Sequence, residues 1–111
     1  MADLTPQQRV AAECRRRGKR AVVDGCARLV RGDYTDAGLI TALGREGAAK
    51  FFDGREHEDM YWFRVWGARG LLWAWDDSAT PALLAALRDD PVPRVRAAAQ
   101  RAVARLTANT A

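Results

Sequence analysis

Four ionisable side chains, Glu56, His57, Glu58 and Asp59, gather around the only histidine of the chain. Carboxylates beside an imidazole are the raw material of a metal site or a general acid–base pair. Consecutive residues on one helix or loop cannot all converge on a single ion, however, and no second histidine or cysteine pair stands at ligand spacing. Acids favoured at a helix start by the macrodipole explain the group more simply. Cys14 and Cys26 are two lone thiols without CxxC or Cys/His spacing. On one continuous helix, twelve residues would set them about 120° apart. They read as small helix fillers in a reducing compartment rather than as a disulfide or metal pair. GxSxG, P-loop, HExxH and GxGxxG patterns are absent. The expectation is a chain with no catalytic residue, no metal and no cofactor.

Two other groups of residues have the makings of a binding surface. Trp62, Trp66, Arg69 and Trp73 fall at i, i+4, i+7 and i+11, on one face of a helix. Such a face can stack a base, a ring-bearing ligand or a peptide side chain, with Arg69 adding a charge; equally, the tryptophans can be the packing of a helix buried all round. Arg15, Arg16, Arg17, Lys19 and Arg20 form the densest basic run. It can grip phosphates, or spread around a helix as a solvated face.

The elements that must position these residues are helices. Thr5, Pro6, Gln7 and Gln8 spell a capping box with proline at the first helical position. The helix they start carries Val10, Ala11 and Cys14, and Gly18 ends or kinks it. A second apolar series, Val22, Val23, Cys26, Leu29 and Val30, runs to a stop at Gly32. Asp33 is placed to cap a helix with Leu39, Ile40 and Leu43, ending between Gly44 and Gly47. Phe51 and Phe52 follow in a stretch that closes at Gly54. The longest apolar run extends from Met60 to Trp75, where Tyr61, Val65, Ala68, Leu72 and Trp75 keep the spacing of a buried stripe. Thr80 and Pro81 start a short helix with Leu83, Leu84 and Leu87 that stops at Asp89, Asp90 and Pro91. Pro93 opens the last helix, with Val95, Ala98, Ala99, Ala102, Val103 and Leu106 on one face and Arg94, Arg101 and Arg105 on the other. Residues 1–4 and 107–111 are expected to fray.

Part of this series repeats. Residues 64–75 fall on residues 94–105 at a shift of 30, pairing Arg64 with Arg94, Val65 with Val95, Ala68 with Ala98 and Ala74 with Ala104. A period near thirty residues points to stacked helical units, which bury a face only against their neighbours.

From Trp66 to Leu106 the chain resembles the short bacterial HEAT repeats of the phycobilin-lyase type. The pattern is carried by Ala68 and Leu72, by Pro81 to Leu87, by Asp89 to Pro91, and by Val95, Arg96, Ala98 and Ala99. The resemblance implies a short right-handed α-solenoid of about two and a half helical hairpins, five or six helices in all. It also implies a charge ladder between units, using Asp89 or Asp90 with Arg96 and broken one unit earlier, where Trp66 stands in place of the arginine. An earlier unit is traced through Ala37 to Leu43, after which about fourteen residues are inserted within 44–60. HEAT-like folds include alkylpurine DNA glycosylases, and Trp73, Trp75, Asp76 and Asp77 superficially resemble their tryptophan–aspartate set. No motif matches residue by residue, and the chain looks short for their DNA-wrapping groove.

At 111 residues the chain is one small all-α domain, residues 1–111. Its net charge of +4 is divided into blocks of +5 over residues 1–32, −5 over 33–90 and +4 over 91–111. No apolar run reaches the roughly 20 residues of a membrane span, and the start lacks a signal-peptide pattern, so a cytoplasmic location is expected. The expected function is a non-catalytic protein-interaction module, contacted on its short-helix side and the 44–60 insertion. Self-association through an open C-terminal helix is a further expectation, and nucleic-acid binding by the basic N- and C-terminal helices is the alternative.

Overall fold

Thr5 closes the capping box expected of it: its Oγ1 accepts from the Gln8 amide at 3.1 Å, and the Gln8 Oε1 accepts from the Thr5 amide at 2.8 Å. The computed structural model describes residues 4–44, 46–55 and 57–110, and the side chains of these except 46 and 106–110. From that cap α1 runs over Pro6–Arg17. Gly18 then takes φ +90°, a conformation that side chains resist, so the chain breaks there and α2 begins at once, over Lys19–Val30. Gly32, at φ +91°, turns the chain away after α2.

The cap of the next helix is Asp36, not Asp33. The Asp36 Oδ1 accepts from the Leu39 amide at 2.9 Å, whereas Asp33 holds the turn before it by accepting from both the amide and hydroxyl of Thr35. Thus α3 spans Ala37–Gly44, and a single further turn, α4, covers Glu46–Ala49. The central helix α5 spans Tyr61–Gly70; a short 3-10 turn at Asp77–Ala79 leads into α6, Thr80–Asp89, and α7 runs over Pro93–Thr110. The described residues therefore form seven α-helices and no strand. None of the helices is long and apolar enough to cross a membrane.

Helix α5 lies between α2 and α7 and packs against both. On one side of this row α1 and α3 meet each other and α2; on the other, α6 lies along α7 and reaches α2. The close approach of α2 and α5 is made by glycines. A Cβ at Gly67 would stand 2.8 Å from the Cys26 carbonyl oxygen and from the Leu29 Cβ, and one at Gly70 would stand 2.7 Å from the Cys26 Sγ. Around this seam the largest fully buried side chains are Phe63, Leu29, Leu39, Ile40, Leu71 and Leu83, each contributing about 1.5–3 kcal/mol.

Two expectations about the long apolar run are corrected. Its helix ends at Gly70, and Leu72 and Trp73 continue in tight turns whose amides bond three residues back. Its buried positions are Phe63, Val65, Gly67, Ala68, Gly70, Leu71 and Ala74, while Tyr61, Leu72 and Trp75 are half-buried. Neighbours on two sides select small residues at the contact, so the spacing of large side chains was the wrong guide. The C-terminus differs as well: α7 continues through Thr110 where fraying was expected after Leu106. Its apolar face, Val95, Ala98, Ala99 and Ala102, is buried against α5 and α6, so that stretch is covered within the chain.

Candidate binding groove

The four residues of the tryptophan face divide between two surroundings. Trp66 lies over Gly44, whose added Cβ would come within 2.5 Å of the indole, and its ring meets Phe63 at 5.5 Å and Phe51 at 6.3 Å. Trp66 and Trp73 line a small recess against Pro6, Val10 and Leu43, where α1 and α3 close on α5. Trp62 points the other way, towards α7. Its ring carries the Tyr61 ring stacked at 5.3 Å and the Arg94 guanidinium at 5.2 Å from the centroid. Arg69 borders both recesses.

The larger recess is a groove of about 260 Å³ between α5 and α7. Val65 from α5 and Leu72 from the turn after it, with Ala97 and Ala98 from α7, form its floor, and Trp62 also lines it. Arg69, Arg94 and Arg101 stand around it. No acidic side chain lines the groove, and none of these three guanidiniums has a carboxylate partner among the described residues. Arg16, Arg17, Arg20, Arg28, Arg64 and Arg88 have acid partners, while the exposed Arg15 and Arg105, like the three of the groove, make no ion pair among the described residues. The groove thus combines an apolar floor with unmatched positive charge.

The ladder residues are brought together in a different combination. Asp90 receives two bonds from Arg64, at 2.7 and 3.2 Å, and Arg64 also donates to the Tyr34 hydroxyl at 2.7 Å. Arg96 reaches the Asp90 backbone carbonyl at 2.7 Å instead of its carboxylate, and the Asp90 Oδ1 also accepts from the Val92 amide. Asp89 pairs with its exposed neighbour Arg88. The ion pair at Asp90 therefore uses Arg64, which falls on Arg94 at the 30-residue shift, and not Arg96, which the resemblance implied.

The basic run is partly consumed by the fold. Arg16 and Arg17 both hold the buried Glu13, whose carboxyl is kept below its usual range chiefly by the Arg16 hydrogen bond. Arg17 continues to Asp36 at 2.9 Å, and Arg20 lies near Asp24 and Asp76. Arg15 and Lys19 are exposed and make no ion pair among the described residues.

The remaining groups are structural in their geometry. His57 lies 2.9 Å from Asp53 and edge-on to Phe51, while Asp59 pairs with Lys50 at 2.7 Å; Glu56 lies outside the described residues. Among the described residues no group of three His, Cys, Asp or Glu side chains is placed to hold a metal ion. Asp76 caps the 3-10 turn through the Ser78 amide, and the Trp75 indole donates to Asp77 at 3.2 Å. Cys26 is sealed under α5, and burial pushes its thiol up to about 12. Between α4 and α5, Phe51 is buried against Phe63 at 4.8 Å, and Phe52 is 49% exposed. Comparison with protein-family models, curated proteins and solved structures found no match to this chain.

Proposed function

We propose that the chain is a HEAT-like helical-repeat module of the cytoplasm that works by binding another protein, without catalysis, and that the α5–α7 groove is its contact surface. The observation that carries this reading is the set of three unmatched guanidiniums, Arg69, Arg94 and Arg101, over an apolar floor. Burying charge beside apolar surface is costly unless a partner supplies the countercharge, so such a surface suits a complementary one. The order of α2, α5 and α7 in one row, with α6 beside α7, supports the stacked-unit reading of the 30-residue repeat.

A photo-crosslinking residue in place of the exposed Ala97, compared with one in place of the exposed Leu84 on α6, tests the surface. A discrete protein adduct from position 97, absent from position 84 and lost with Arg101→Glu, is the expected result. Identical adducts from both positions, or none from either, would count against the groove. Nucleic-acid binding through Arg15, Arg16, Arg17, Lys19 and Arg20 is the rival. It predicts a gel shift at roughly 50 mM salt that fades steeply as salt rises.

A further inference from the structure

We infer that the occupant of the α5–α7 groove is an amphipathic acidic helix of the partner protein, which lays an apolar side chain on Val65 and Leu72 and offers carboxylates to Arg69, Arg94 and Arg101. The inference rests on the protein-binding reading above and adds the chemistry of the partner.

Size is the first argument. At about 260 Å³ the groove is just below the roughly 300–1,000 Å³ of small-molecule sites. It has room for one or two side chains presented by a larger body.

Spacing is the second. Arg94 and Arg101 are seven residues apart on α7, about 10.5 Å along the helix axis. A helix lying alongside meets them with carboxylates at i and i+7, and its residues at i+3 and i+4 then fall between the two arginines. There α7 presents only the methyl groups of Ala97 and Ala98, so the space is open to a large apolar side chain. Arg69 approaches from α5, across the groove from α7, and can take a further carboxylate on the same face of the incoming helix.

Charge is the third. Residues 91–111 contain four arginines and no acid, so the α7 wall has no intrinsic countercharge. Single-stranded nucleic acid would supply charge but needs open aromatic faces to stack on. The Trp62 ring already carries Tyr61 and Arg94, and an apolar floor has no use for phosphate.

The test is fluorescence anisotropy with the full chain and a labelled helical peptide of roughly 16 residues, carrying Glu at i and i+7 and Leu at i+3 and i+4. The comparison probes are the same residues scrambled around the helix, the Glu-to-Gln peptide, and a labelled single-stranded RNA. The patterned peptide should bind at least about tenfold more tightly than either peptide control. Arg101→Glu and Ala97→Phe should each weaken it by about tenfold or more while keeping the native melting temperature, Arg94→Glu should weaken it as much with a slightly lower melting temperature from the lost Trp62 contact, and Arg105→Glu, outside the groove, should leave binding unchanged. Equal binding of the scrambled or Gln peptide overturns the inference. Tighter binding of RNA with the same arginine dependence overturns it together with the protein-binding reading. If no peptide binds but the position-97 crosslink to a protein persists, the acidic helix is wrong and the protein-binding reading stands.

Discussion

Arg64 and Asp90 form a two-point ion pair, 26 residues apart in sequence, that joins the first turn of α5 to the loop between α6 and α7. The side chains are 20% and 6% exposed, so both charges are largely withdrawn from water. Removing one member strands the other. Asp90→Asn keeps an oxygen for the Val92 amide but uncovers Arg64, and a loss of about 3–5 kcal/mol is expected from urea unfolding. The double variant Arg64→Met with Asp90→Asn should be less destabilised than the sum of the singles, because no buried charge is left unpaired. Strict additivity would show the pair to be uncoupled.

Gly67→Ala separates close packing from helix propensity. Alanine gains up to about 1 kcal/mol of propensity over glycine, yet its methyl would meet the Cys26 carbonyl and the Leu29 side chain at 2.8 Å. Overpacking of this kind costs about 1–3 kcal/mol, so the melting temperature should fall. Gly47→Ala, where an added Cβ would stand 3.9 Å from the Trp66 ring, should be neutral or slightly stabilising. A rise in melting temperature for Gly67→Ala would mean that α2 and α5 can part freely.

The tryptophans should differ in their contribution to stability. Trp66→Ala removes a ring packed on Gly44, Phe51 and Phe63 and should cost about 3–5 kcal/mol. Trp62→Ala loses a stacked pair and an arginine contact at the groove rim, with an expected cost of about 1–2 kcal/mol. Equal costs in chemical denaturation would contradict the division of the face between core and groove.

Acid should unfold the protein through Glu13 and Asp36. The Arg16 hydrogen bond leads in lowering Glu13, against burial. For Asp36 burial pushes upward but is outweighed by the Arg17 hydrogen bond, the Leu39 amide, and the charges of Arg17 and Arg28. Because both carboxyls titrate lower in the folded chain, their stabilisation is complete above the usual carboxylate range, near pH 4–4.5, and is lost as pH falls through the folded values. The melting temperature should therefore drop below about pH 4, and Glu13→Gln should shallow that decline. A melting temperature that rises on acidification would refute the assignment.

Much of the helical framework is legible from residue type alone. Thr5 with Gln8, Gly18 and Gly32 mark boundaries through local hydrogen bonding and backbone freedom, which operate within a few residues, and Pro81 stands in the first turn of α6, although Thr80 opens that helix without a side-chain capping bond. The central helix is harder to read, because Gly67 and Gly70 look like weak helix residues until α2 is set against them. The groove is harder still. Trp62 and Arg69 were visible as one face, and Arg94 and Arg101 as another, but only the packing of α5 on α7 makes them a single surface. The same is true of Arg64, whose partner lies across a turn that no spacing rule spans.

The glycine seam makes the row of helices directional. On the α7 side the buried contact is made by alanine side chains, Ala98, Ala99 and Ala102, against α5 and α6. Gly67 meets the Cys26 carbonyl and Gly70 the Cys26 sulfur, and no copy carrying side chains at those positions could take their place. The α2–α5 side of the row therefore accepts one partner of fixed shape.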